Sequence, residues 1–105
     1  MTSAPQRRPP LSEAAIQRTV EGNKGRYVLA IDGNEAELTY SIASPTLIIA
    51  DHTYVPDAMR GTGAGLELAE RLVADARAEG VKIVPLCPFV KAQAAKHPEW
   101  SDVIQ

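Results

Sequence analysis

Apolar positions along the chain change period several times, and each change marks an element. In "GRYVLAIDGNEAELTYSI", residues 25–42, two apolar segments flank Asp32-Gly33-Asn34. Asp-Gly between such segments is the strongest short-range hairpin signal, so two antiparallel strands are expected, at Arg26 to Ile31 and Ala36 to Ile42. After Ala43-Ser44-Pro45 comes "TLIIADHTYV", whose first half is apolar at consecutive positions. That pattern suits a strand covered on both faces and predicts the central strand of the sheet. From Gly65 the spacing becomes helical: Leu66, Ala69, Val73 and Ala76 recur at three and four, flanked by Leu68 and Leu72, and Gly80 provides a stop. "VKIVPLC" reads as another β-branched strand, and "PFVKAQAAKHPEW" as a helix that opens on proline and ends before Pro98. "AIQRTVEG" is short and ambiguous, and its stretch from Ile16 to Gly22 could begin a first strand. Residues 1–12 are rich in Pro, Arg and Ser with nothing periodic to bury, and read as a mobile tail. The expected order is β-β-β-loop-α-β-α: one α+β domain over residues 13–105, its sheet mixed and mostly antiparallel.

Composition narrows this little. At 105 residues the chain suits one domain with a single core. Eleven basic against thirteen acidic side chains give a formal charge of −2, with no basic block that would serve as a footprint for nucleic acid. A single cysteine, Cys87, makes no internal disulfide, and the first residues show no signal-peptide pattern, so a cytoplasmic location is expected. No run approaches the roughly 18 apolar residues of a membrane helix, and no membrane partner is expected.

The chemistry concentrates in "RGTGAG", residues 60–65, between the central strand and the first helix. A helix reached through a glycine-rich loop offers unpaired N–H groups and the positive end of its dipole, which together form an anion site suited to phosphate. Two common phosphate motifs fail. No Gly-Lys-Ser or Gly-Lys-Thr is present for a P-loop, and a GxGxxG fingerprint starting at Gly61 meets Leu66 where Gly or Ala is needed.

Arg60-x-x-Gly63-x-Gly65 does fit the [QR]xxGx[GA] signature of the GNAT (GCN5-related N-acetyltransferase) enzymes. With "DHTYVPDAMRGTGAG", the following helix, "KIVPLCPFV" and "HPEW", residues 24–104 resemble the small, single-domain GNAT-like group of acetyl-CoA-binding proteins. The resemblance implies a minimal GNAT fold: a central strand, a pyrophosphate loop and helix, a parallel strand and a C-terminal helix. It implies acetyl-CoA as cofactor, with the amides of Gly61, Thr62, Gly63, Ala64, Gly65 and Leu66 holding the pyrophosphate and Arg60 at the loop entrance. The pantetheine arm would lie along the central strand at Tyr54 and Val55, where the next parallel strand splays away. Pro56 and Pro85 agree with that, since each lacks a ladder donor, although both could simply mark strand ends.

An N-acetyltransferase acting on an amine is the implied activity, and a CoA-binding regulatory module without turnover is the alternative. The Val55 amide would stabilise the oxyanion. Simple alternation turns His52 and Tyr54 to one face and Asp51 and Thr53 to the other. His52 has the titration range of a general base, or is a structural histidine. Cys87, placed to cap the helix that opens at Pro88, could accept the acetyl group, assist direct transfer, or pack as a small hydrophobe. The last helix, "FVKAQAAKH", holds no tyrosine to protonate the leaving thiolate, so the acid is unassigned. An open acceptor site suits a large amine such as one on a protein. Lys91 and Lys96 could approach the CoA phosphates or merely be solvated, Trp100 is expected to dock as an anchor, and the spacing of His52, Cys87 and His97 predicts no metal.

Overall fold

The structure is a computed structural model and describes residues 16–105, so the tail expected at residues 1–12 lies outside the described residues. A five-stranded sheet runs in sequence order: β1 (Ile16–Glu21), β2 (Lys24–Ile31), β3 (Asn34–Ser44), β4 (Leu47–Tyr54) and β5 (Lys82–Pro85). The first four strands are antiparallel neighbours, and β5 is parallel to β4. Helix α1 (Ala64–Glu79) makes the β4-to-β5 crossover, and α2 (Pro88–Lys96) follows β5. This is the mixed α+β architecture expected from the periodicities, with one strand more than the order β-β-β-loop-α-β-α.

That extra strand, β1, is obscured in the sequence by Arg18. Its inward positions are Ile16, Arg18 and Val20, paired with Leu29, Tyr27 and Gly25, so a cation interrupts the apolar alternation. Arg18 is accommodated because its guanidinium lies 5.5 and 5.7 Å from the ring centroids of Tyr27 and Tyr40, where a cation is attracted to the π-face. Its Nε donates to the Tyr40 hydroxyl at 2.9 Å, and Nη1 donates to Glu79 at 2.6 Å. The bond to Glu79 raises the guanidinium above its ordinary range, against the opposing effect of burial. Tyr27 in turn donates to Asp75 Oδ2 at 2.7 Å. Burial, with the Asp75 carboxylate second, pushes the Tyr27 phenol well above its usual value. This polar cluster ties α1 to β1, β2 and β3 at the end of the helix away from the glycine loop.

Two tight hairpins set the register. Asp32 and Gly33 take positive φ, 51° and 80°, as a two-residue turn between Ile31 and Asn34 requires. Gly25 serves packing instead, since it faces Tyr40 across the ladder and a Cβ there would lie 1.9 Å from the ring. The buried face of α1 carries Leu68, Ala69, Leu72, Val73 and Ala76, with Leu66 only partly covered. Gly80 ends the helix in the left-handed region at φ 70°, its N–H donating to Ala76 and Arg77 carbonyls. Trp100 is 5% exposed and its ring stacks 4.4 Å from His97, the anchoring role expected of it. Both helices pack on the face that carries Leu29, Leu38, Tyr40 and Ile83. The opposite face of β1 to β4 carries mostly polar side chains, with Val28, Ala30 and Ile49 among them, and is uncovered by any described element.

Gly25→Ala is expected to destabilise the protein by about 2 kcal/mol or more, since the Tyr40 ring must leave its place over the strand; urea unfolding measures it. A second expectation concerns pH. Because the folded-state Tyr27 phenol is raised, its contribution is complete below the unfolded value of about 10 and falls as pH rises beyond it. Stability curves of wild type and Tyr27→Phe should therefore converge above pH 10, from a difference of about 1–2 kcal/mol near neutrality.

Candidate functional site

Between β4 and α1 the chain makes a 3₁₀ turn at Asp57–Met59 and then the loop Arg60 to Gly63. Gly61 and Gly63 have φ of 83° and 81°, the left-handed region that side-chain-bearing residues avoid, and nothing lies within 4 Å of where their Cβ atoms would be. Gly63 is also the N-cap of α1, where the first helical bond runs from Glu67 N–H to the Gly63 carbonyl. The amides of residues 64–66 thus have no helical partner. Thr62 takes up one of them: its hydroxyl donates to the Met59 carbonyl at 2.5 Å and accepts from Ala64 N–H at 3.2 Å. The Thr62 amide itself donates to Met59. Of the six amides in the stretch, those of Gly61, Gly63, Gly65 and Leu66 have no partner among the described residues, whereas Thr62 and Ala64 shape the loop.

These amides border a cleft of about 310 Å³ that Val55, Met59, Leu66, Phe89 and Gln93 also line. Phe89 and Gln93 carry no signal in the sequence beyond lying on the second helix. Gly65 differs from the other glycines. A Cβ there would lie 2.8 Å from the Phe89 ring, so its missing side chain lets α1 and α2 approach rather than clearing space for a ligand. Arg60 is exposed and paired with Asp57 at 3.0 Å. Lys91 and Lys96 are exposed on α2, with no contact that assigns them to the cleft.

The second feature is a fork. β5 pairs with β4 from Leu47↔Lys82 to Ala50↔Pro85 and stops there, while β4 continues to Tyr54 with β3 beside it. Pro85 supplies no amide to extend the ladder. Cys87 N–H makes one last bond to the Ala50 carbonyl at 2.8 Å, and Leu86 turns outward, 67% exposed. Pro56 begins the turn after Val55, so the fork side of β4 from Asp51 to Val55 is a strand edge with main-chain groups available to an extended guest.

At the vertex of the fork β4 contains an extra residue. Thr39 pairs with His52 but Tyr40 pairs with Ala50, which leaves Asp51 as a bulge. Simple alternation fails there. Asp51, His52 and Tyr54 all face the uncovered side, with Asp51 accepting from Ser41 Oγ at 2.5 Å, while Thr53 faces the core opposite Leu38. His52 is exposed, and Tyr54 is 52% exposed opposite Glu37. Thr53 meets the cysteine, with Oγ1 and Cys87 Sγ sharing a hydrogen bond at 3.3 Å. Cys87 is the N-cap residue of α2, as expected, but its thiol makes no capping bond and is 2% exposed. Consequently His52 and Cys87, both candidates for catalysis, lie on opposite sides of the sheet. Among the described residues no group of three or more His, Cys, Asp or Glu side chains is arranged to hold a metal, and no helix is long and apolar enough to cross a membrane.

The chain as a whole is similar to known proteins. Residues 26–103 match the family described as GCN5-related N-acetyl-transferase. No match was found among curated proteins. Among solved structures the chain is similar to the solution structure of a "GCN5-like putative N-acetyltransferase" from Staphylococcus aureus, at 31% identity and a TM-score of 0.66, over 88% of this chain and 90% of the other. The glycine loop that opens on a cleft beside a forked sheet thus belongs to an acetyltransferase domain, and the chain is a member of the GCN5-related N-acetyltransferase family.

Proposed function

We propose that the protein is a cytoplasmic acetyl-CoA-dependent N-acetyltransferase. The observation that carries this reading is the left-handed loop at Gly61 and Gly63, whose unpartnered amides, with those of Gly65 and Leu66, border one cleft with Val55. Those amides, at the positive end of α1, would hold the pyrophosphate. Arg60 adds positive charge at the rim, and Thr62 and Ala64 hold the loop in shape. The open edge of β4 at Tyr54 and Val55 would hold the pantetheine arm in the fork. The buried free thiol of Cys87 suits a reducing compartment.

In the reaction the amine nitrogen attacks the thioester carbonyl carbon and loses a proton. The C–S bond then breaks and CoA leaves as a thiolate that must be protonated. The Val55 amide is the donor assigned to the developing oxyanion. His52, exposed on the outer side of β4, takes the amine proton, a role worth roughly 10²- to 10⁴-fold. Cys87 serves on the other side of the strand. Its burial against Thr53 favours direct transfer assisted by the thiol over an acetyl-cysteine intermediate, because a covalent route requires the sulfur to be uncovered. A CoA-binding module without turnover is the second reading, favoured by the separation of His52 from Cys87 and by the absence of a tyrosine on α2.

Calorimetry should detect one acetyl-CoA per chain, and Gly63→Val should weaken binding at least tenfold, about 1.4 kcal/mol. Val resists positive φ and its branches intrude on the cleft; undiminished binding would remove the loop assignment. By contrast, His52→Ala and Cys87→Ala should lower acetyl transfer at least tenfold with acetyl-CoA affinity preserved within a few-fold. Rapid-quench mass spectrometry with acetyl-CoA alone should find no acetyl group on Cys87, and accumulation of that adduct would replace direct transfer by a two-step route.

A further inference from the structure

The uncovered face of the sheet carries two polar rows that run across the strands. One is Glu21, Lys24, Ser41 and Asp51; the other is Thr19, Arg26, Thr39 and His52. Between them lies a trough of about 430 Å³, larger than the cleft at the glycine loop and within the size range of small-molecule sites. Its β4 end is the Asp51 bulge, which directly follows the last pair between β4 and β5, Ala50↔Pro85. The trough therefore ends at the vertex of the fork, on the side where His52 is exposed.

We propose that this trough is the acceptor site, and that its substrate class is a primary amine carrying a carboxylate some 8–10 Å from the nitrogen. The inference rests on the acetyl-CoA reading of the fork and adds the acceptor to it. Charge complementarity selects the class. Asp51 receives the ammonium beside His52, since its carboxylate is partly exposed and only Oδ2 is engaged, by Ser41 at 2.5 Å and by Lys24 at 3.9 Å. Lys24 is held loosely there, with a side chain 67% exposed and a hydrogen bond to Ser41. An arriving ammonium releases it to turn toward the other end of the guest. That end meets Arg26, which projects from β2, two strand spacings from β4 and so about 10 Å away. Arg26 uses Nε for Glu37 at 2.7 Å, which leaves the outer guanidinium nitrogens to grip a carboxylate. A guest with a second ammonium would instead lie against both cations. The site needs no change in the balance of the transfer: the ammonium gives one proton to water, the neutral nitrogen attacks the thioester carbon and loses a second proton to His52, the C–S bond breaks, and the thiolate leaves through the fork and is protonated by water.

The test is a heteronuclear NMR titration of the full chain with three amines of matched length: ε-aminocaproate, hexylamine and hexamethylenediamine. The expected result is saturable shifts at Thr19, Lys24, Arg26, Thr39 and Asp51 with ε-aminocaproate, at an affinity up to about fivefold above hexylamine, the amount an exposed ion pair supplies. The diamine should bind no better than hexylamine. Arg26→Gln should bring ε-aminocaproate down to the level of hexylamine, whereas Glu37→Gln, which frees Arg26 from its partner, should tighten it. A merely structural role for the pair would not produce that opposite sign. Equal affinities for the three amines, preference for the diamine, or shifts confined to other surfaces would overturn the proposal. The titration needs no acetyl-CoA, so it stands apart from a failure of the cofactor reading, which would show as no binding of acetyl-CoA in calorimetry.

Discussion

The structure turns on the loss of one strand neighbour. β4 keeps its antiparallel partner for its whole length but loses its parallel one after Ala50, where Pro85 ends the ladder and Asp51 bulges out. A strand edge inside a sheet is costly if it stays unpaired, because its amides and carbonyls must find other partners. Here the edge faces a fork that leads to the glycine loop, so an extended, amide-bearing guest can complete the ladder. The acetyl-CoA reading follows from that unmet hydrogen-bonding capacity together with the free amides at the start of α1.

A fork also weakens the sheet, and the rest of the molecule compensates for it. Arg18, set against the rings of Tyr27 and Tyr40 and bonded to Glu79, fixes the far end of α1 to the first three strands. Gly25 lets the Tyr40 ring lie over the strand, and Gly65 lets α2 approach α1 through Phe89. On the outer edge, Ile83 donates to Val103 and accepts from Gln105, which covers β5 where it would otherwise be exposed. The stable parts of the fold surround the fork without closing it. The same opening separates the chemistry, because the bulge sends Asp51 and His52 outward while Thr53 turns in to Cys87.

Much of this is legible from residue order. The Asp32-Gly33 hairpin, the helix from the glycine loop to Gly80 and the strand before Cys87 each rest on a local signal that the tertiary structure respects. β1 is harder to read, since Arg18 occupies an inward position and its compensation comes from tyrosines distant in sequence. The bulge is not legible, because an extra residue changes which side chains share a face without altering composition or period. That is why simple alternation puts Asp51 on the wrong face and does not link Thr53 to the thiol. Gly65 reads in the sequence as one more glycine of the anion loop, whereas its missing side chain makes room for Phe89, 24 positions further along the chain. Which amides a loop consumes internally also depends on a side chain, Thr62, that no motif specifies.

The most direct measurement of the central claim is an amide-detected NMR titration with acetyl-CoA. The fork and loop should respond as one surface: saturable shifts at Gly61, Gly63, Gly65 and Leu66 together with Thr53, Tyr54 and Val55, and little change along β1. Shifts limited to the loop would contradict insertion of the pantetheine into the fork, and an unchanged spectrum at saturating acetyl-CoA would contradict the account as a whole.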